Sequence, residues 1–180
     1  MAEVIRPRIG FLGAGQMAAA LARGWTNAGL LSAEDGLASD PSPEARTQFQ
    51  NRTDWRAIPS NRDVVVDYDI LILAVKPQVV SGLLHDVRPL LKPKHLLISI
   101  AAGVPLQKLG DESGGACRLI RVMPNTPCLI GASAAGYCPG PNATPEDIAL
   151  VDRLFNAVGK AYRLGEHLLD AVTGLSGSGP

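Results

Sequence analysis

Gly13-Ala14-Gly15-Gln16-Met17-Ala18 is the string in this chain whose residue types and spacing point most directly to chemistry. It follows an apolar run, Arg8–Leu12, and opens a helix-period segment, Gln16–Ala28, closed by Gly29. In that setting Gly13 permits a tight strand-to-helix turn, Gly15 keeps a Cβ out of the way of a pyrophosphate, and Ala18 lets helix and sheet pack closely. The N–H groups at the helix start would face the phosphates, with the helix dipole behind them. A tight turn without a ligand would use the same residues, so the string gains its meaning from the strand before it and the helix after it.

Three further loops end predicted strands and carry polar or small residues. Ala74-Val75-Lys76-Pro77 would bring backbone and a lysine to a bound ribose and ring; a solvated lysine at a helix start is the plainer alternative. Ala101-Ala102-Gly103 suits close approach of backbone to a flat ring, or simply tight packing. Asn125, between Pro124 and Pro127, is a rigidly held amide able to orient a bound group, and Asn is also an ordinary turn residue. At Ser39-Asp40 the reading divides. The acid would bond the ribose of NAD and repel the phosphate of NADP, whereas Ser39, with Arg46, could hold that phosphate. Asp40 tilts the choice toward NADH without closing it.

Other chemistries lack their residues. There is no paired-carboxylate site, no His-based triad and no cluster of metal ligands, so no metal is expected. His85 and His95 read as structural; His167 stands beside Glu166. Cys117, Cys128 and Cys138 fit neither a zinc site nor a disulfide framework, which suits reduced thiols and a cytoplasmic location. The 17 basic and 17 acidic residues balance, so no nucleic acid or anionic membrane partner is expected. No apolar run reaches membrane-span length, and the first residues lack the apolar core of a secretory signal.

The elements that would position these loops alternate. Gly36–Ser39, Asp69–Val75, His95–Ala101, Arg118–Met123, Ser133–Cys138 and Ala161–Leu164 read as further strands. Helices are expected after Ser42, over Gln78–Leu91, and from Thr144-Pro145 to about Val158, where an N-cap, a proline and acids signal the starts. The runs at 69–75 and 95–101 are apolar throughout, as strands covered on both faces are. The expected fold is α/β: a doubly wound, mostly parallel, Rossmann-type sheet with helices on both faces, whose ligand sits beyond the carboxyl ends of the strands.

Taken together, Gly10–Ala18, Ala74–Pro77, Ala101–Val104, Arg121–Pro127 and Asp170–Pro180 (DAVTGLSGSGP) resemble pyrroline-5-carboxylate reductase. The first block is shared with many dehydrogenases; the MPNTP and DAVTGLSGSGP blocks are more specific. The resemblance implies NADPH- or NADH-dependent reduction of 1-pyrroline-5-carboxylate to L-proline, the last step of proline biosynthesis. It implies cofactor contacts at Gly10, Leu12, Gly13, Ala14, Gly15, Gln16, Met17, Ser39, Asn61, Ala74, Val75, Lys76, Pro77 and Ala102. It also implies a site at Glu166, beside the substrate's ring nitrogen, assisted by Asn125. Residues 1–165 would form the NAD(P)-binding domain and 166–180 the start of a helical dimerisation and substrate domain through which the family forms homo-oligomers. The chain is expected to break off before that domain, to bind cofactor, and to be weakly active or inactive alone, with Leu168–Leu175 fraying. The alternatives are a non-catalytic NAD(P)-binding module, or another Rossmann reductase acting on a small acid, such as a hydroxyacid or prephenate dehydrogenase.

Overall fold

Period-two alternation along the strands sorts the core into two layers. In the computed structural model, which describes residues 7–174, Ile9, Phe11, Ile72, Ile98, Ile120 and Val122 face one side, and Leu12, Leu71, Leu73, Leu97 and Leu119 the other. The strands are β1 (Ile9–Leu12), β2 (Gly36–Ser39), β3 (Arg56–Ile58), β4 (Ile70–Leu73), β5 (Leu96–Ser99), β6 (Arg118–Met123), β7 (Ser133–Pro139) and β8 (Gly159–Arg163). The helices are α1 (Gln16–Asn27), α2 (Pro43–Thr53), α3 (Asn61–Asp67), α4 (Pro77–Val87), α5 (Leu106–Ser113), α6 (Pro145–Asn156) and α7 (Glu166–Val172).

They build one sheet in the order β3-β2-β1-β4-β5-β6-β7-β8. All pairings are parallel except β6 with β7. The fold is therefore the doubly wound Rossmann type expected from the alternation. The chain lays β2 and β3 on one side of β1, then crosses to β4 on the other. That reversal leaves a crevice at the carboxyl ends of β1 and β4, the usual place for a ligand in such sheets.

Helices α1 and α6 cover one face around an aromatic nest. Phe11 stacks on Trp25 at 5.7 Å and meets Trp55 edge-on at 5.9 Å, and Trp25 meets Phe155 edge-on at 6.0 Å. The indole N–H of the buried Trp25 donates to the Leu154 carbonyl at 2.7 Å, so this deep ring keeps no unsatisfied donor. The opposite layer packs Val64, Val65, Val80, Leu84 and Leu109 from α3, α4 and α5 onto the sheet.

Several boundaries differ from the sequence reading. Pro77 opens α4, which ends at Val87; a 3-10 turn, Arg88–Leu90, takes over where Pro89 cannot continue the ladder. Helix α6 stops at Asn156, and β8 begins at Gly159 rather than Ala161. Three elements were not anticipated. Strand β3 is three residues long and largely unburied, and α3 consists mostly of polar and β-branched residues. Helix α5 has Gly110 in its interior. Each lacks the periodic apolar stretch by which elements are recognised. Of the segment expected to fray, Leu168–Val172 lies in α7, with Leu169 fully buried. Leu175 and the SGSGP block that follows it lie outside the described residues.

Candidate functional site

The glycine turn has the geometry its residues imply. Gly13 adopts φ +108°, a conformation that L side chains rarely take, and a Cβ there would lie 2.6 Å from the Ala74 carbonyl oxygen. Its N–H donates to the Ser39 carbonyl at 2.8 Å, locking the turn onto β2. Gly15 is exposed, caps α1 in extended backbone, and would have nothing within 4 Å of a Cβ. The first turn of α1 has neither a side-chain cap nor an acidic residue. Its leading N–H groups therefore keep their capacity to bind an anion. Ala18 is fully buried, which brings α1 close against the sheet. Gln16 accepts from Arg52 at 2.6 Å, and Met17 lies 3.3 Å from the Cys128 sulfur. Burial pushes the Cys128 thiol up to about 11, so it is an inert packing group and not a nucleophile.

Beside this turn lies a cavity of about 390 Å³ lined by Gly13, Ser39, Asn61, Val75, Val79 and Leu83, among others. Ser39 is fully buried; its hydroxyl lies 3.0 Å from the Phe11 carbonyl and 2.7 Å from Asn61 Oδ1. Next along the chain, the Asp40 carboxylate accepts from Ala14 N–H at 3.1 Å and from Ser42 N–H at 2.9 Å. Arg46 Nη1 donates to the carbonyls of Asp40 and Pro41 at 2.7 and 3.0 Å. Four of the residues expected to meet cofactor, Gly13, Ser39, Asn61 and Val75, thus surround one cavity. Gly10 and Leu12 lie within β1. A Cβ on Gly10 would meet Val64 at 2.4 Å, so its smallness lets α3 close on the sheet.

The next loops lie along the same sheet edge. Ala74 N–H donates to the Leu12 carbonyl at 2.8 Å, tying the exit of β4 to that of β1. Lys76 is exposed and caps α4 in extended backbone, with Pro77 behind it. Ala102 is half-buried in the loop after β5, and Gly103 turns that loop at φ +69°. Asn125, after β6, is buried, and its Oδ1 accepts from Ser133 Oγ and Ala134 N–H, both at 3.0 Å. Its rigidity comes from β7 as well as from the flanking prolines.

Glu166 stands apart from the glycine turn. Its Oε1 accepts from Leu106 N–H at 2.6 Å and from Arg121 Nη1 at 3.2 Å; Arg121 Nη2 also donates to Asp170 at 2.8 Å. The carboxylate thus supplies the cap that Pro105, at the start of α5, has no side chain to provide. It also lies on the rim of a second cavity of about 1090 Å³, with Leu106, Gly110, Leu119, Cys138 and Arg163. The sequence reading missed Arg121. Its position was the signal: a charge in the middle of the apolar strand RLIRVM, only 3% exposed, needs an anionic partner.

Among the described residues no group of His, Cys, Asp and Glu could hold a metal ion. His95 is buried just before β5, where its Nδ1 accepts from Lys92 N–H at 2.8 Å. This is the edge opposite the glycine turn. Among the described residues no helix is long and apolar enough to cross a membrane.

The family model described as NADP oxidoreductase, coenzyme F420-dependent, matches residues 8–103. The pyrroline-5-carboxylate reductase of Methanosarcina acetivorans is 44% identical over 173 residues, covering 96% of this chain and 64% of that one. The pea (Pisum sativum) enzyme of the same name is 40% identical, covering 96% and 62%. The structure of Plasmodium falciparum pyrroline carboxylate reductase with NADP bound superposes with a TM-score of 0.87 at 34% identity, covering 97% of this chain and 63% of that one. Prephenate dehydrogenase from A. aeolicus superposes with a TM-score of 0.77 over 97% of this chain and 65% of its own, at 14% identity, which is a likeness of fold alone. The chain spans a little under two thirds of the length of the first two relatives. It belongs to the family described as NADP oxidoreductase, coenzyme F420-dependent, and its similarity to pyrroline-5-carboxylate reductases extends beyond the motifs to 96% of the chain at 40–44% identity.

Proposed function

We propose that this chain is the dinucleotide-binding part of a pyrroline-5-carboxylate reductase, which holds NADPH or NADH for reduction of 1-pyrroline-5-carboxylate to L-proline. The observation that carries this reading is the open start of α1: Gly15 is exposed with free space where a Cβ would be, beside the cradle made by Gly13 and Ala74. An unsubstituted, uncapped helix start next to a cavity that has both apolar walls (Val75, Val79, Leu83) and polar ones (Ser39, Asn61) fits a pyrophosphate joined to an adenosine.

The residues divide the work. The backbone of Gly13 to Met17 binds phosphate. Ser39, Asn61 and Val75 shape the adenosine cavity. Ala74, Lys76, Pro77 and Ala102 form the edge along which the nicotinamide half lies, and Asn125 orients a carboxamide or substrate group through its free NH2. A bound nicotinamide supplies the hydride; the protein's part is to hold two rings face to face and exclude water. Glu166 is the substrate-side group, through the oxygen that Arg121 and Leu106 do not use. Residues 1–165 form the binding domain, and 166–180 lead into the substrate and assembly region. Three isolated thiols suit a reducing cytoplasm, and the resemblance to pyrroline-5-carboxylate reductases supports a homo-oligomer as the working form.

A second reading, a non-catalytic dinucleotide-binding module, is favoured by the engagement of Glu166 Oε1 as a structural cap and ion-pair partner. One experiment separates the two. Fluorescence titration with NADH and NADPH measures binding; absorbance at the nicotinamide band with 1-pyrroline-5-carboxylate measures turnover. Binding with turnover at several protein concentrations supports the reductase. Binding without turnover, even when the C-terminal part of a related reductase is supplied, favours the module, and absence of binding overturns both.

A further inference from the structure

The glycine turn has little charge of its own with which to hold a pyrophosphate. No ionisable residue lies between Gly13 and Ala22, and the acid bonded to the turn, Asp40 on Ala14 N–H, has the sign of a phosphate. Backbone N–H groups and the dipole of α1 supply only fractional positive charge. A full positive charge reaches this end from another helix. Arg52, in the last turn of α2, donates from Nη1 to Gln16 Oε1 at 2.6 Å, across 36 residues of chain.

That bond fixes which atom of the Gln16 amide is taken. A guanidinium has donors and no acceptor, so the atom it meets is the carbonyl oxygen. The NH2 group, with two donors and no acceptor, is the end left for a ligand. Gln16 is the first residue of α1 and follows the exposed cap Gly15, so this amide and the leading backbone N–H groups share one helix start. The charge behind the carbonyl polarises the amide and strengthens its N–H donors toward an anion. A basic residue in a last turn also complements the dipole of its own helix. That role has no need of Gln16, and an exposed contact of this kind adds little to stability.

We infer that Arg52 is a positioning residue for the cofactor's pyrophosphate, acting through Gln16: it takes the carbonyl oxygen and so presents the amide as a polarised donor. The inference rests on the dinucleotide reading above and deepens it.

The test is titration of the purified protein with NADH and with NADPH, for the wild type, R52Q, R52K, Q16A and the Q16A/R52Q double variant. Both cofactors carry the pyrophosphate, so R52Q should weaken both by the same factor, about five- to tenfold. R52K keeps a charged donor and should stay within about threefold of the wild type. In the Q16A background R52Q should cost no more than about twofold, because the amide through which Arg52 acts is gone. Thermal unfolding of R52Q should match that of the wild type. Binding by R52Q within about twofold of the wild type overturns the inference and leaves the dinucleotide reading intact. An undiminished loss in the Q16A background also overturns it, since Arg52 would then act without the amide. A lowered melting temperature shared by R52Q and R52K makes Arg52 a structural residue and overturns it as well. Failure of the wild-type protein to bind either cofactor overturns both readings.

Discussion

Helices α1 and α5 begin at the same edge of the sheet, and their first N–H groups meet different fates. At α1 the cap is Gly15, without a side chain, and no acid stands in the first turn. At α5 the cap is Pro105, which offers no side chain acceptor, yet Leu106 N–H is bonded by Glu166 from 60 residues away. Both termini start with unsatisfied donors. One is closed by the protein, and with Arg121 and Asp170 it joins α5, β6 and α7. The other is left for a ligand. An open helix start thus points to a ligand edge, and α4, whose cap Lys76 makes no side-chain bond and whose first turn has no acid, is open as well.

The comparison breaks if the closed end proves dispensable. R121A should have the largest effect on folding, because it removes a guanidinium that is 3% exposed and strands the carboxylates it served. A loss of about 3 kcal/mol is expected in denaturant unfolding. Loss below about 1 kcal/mol would mean that the joint is solvent-screened. G15V tests the open end. Nothing lies within 4 Å of an added Cβ, so stability should fall by about 1 kcal/mol or less. Cofactor affinity should fall by about 100-fold, which titration would show. E166A should invert that pattern. It should cost about 1–2 kcal/mol in thermal unfolding, discounted for a side chain one-third exposed. Its affinity for dinucleotide should stay within about twofold.

The smallest expected effect lies at the opposite edge. Burial lowers the pKa of His95, Lys94 reinforces the shift and Asp69 opposes it. With the folded value below the unfolded 6.5, the unfolded chain binds more protons as pH falls. The contribution is therefore full above pH 6.5 and is lost as the pH drops below it. Between pH 7 and 5 the melting temperature of the wild-type protein should fall more steeply than that of H95N. Parallel slopes would show that His95 is protonated equally well in both states.

Much of this was readable in the chain itself. Strands β2 and β6 lie where the runs Gly36–Ser39 and Arg118–Met123 place them, and Thr144-Pro145 does open α6. The glycine turn is as legible, because its meaning is local: φ sign, absence of Cβ and helix phase are set within six residues. Strand β3 and helices α3 and α5 were not legible, since their stability comes from neighbours and not from their own patterns.

The sequence by itself determined the βαβ order, the turn at Gly13–Gly15 and the kinship carried by MPNTP. Only the tertiary structure decided that Ser39 is sealed between Phe11 and Asn61, that Asp40 faces the glycine turn, and that Glu166 caps a helix from 60 residues away. The reason is physical. Backbone conformation and hydrophobic period are properties of adjacent residues, whereas the partner of a buried polar group is whichever acceptor or donor the packed sheet brings within 3 Å.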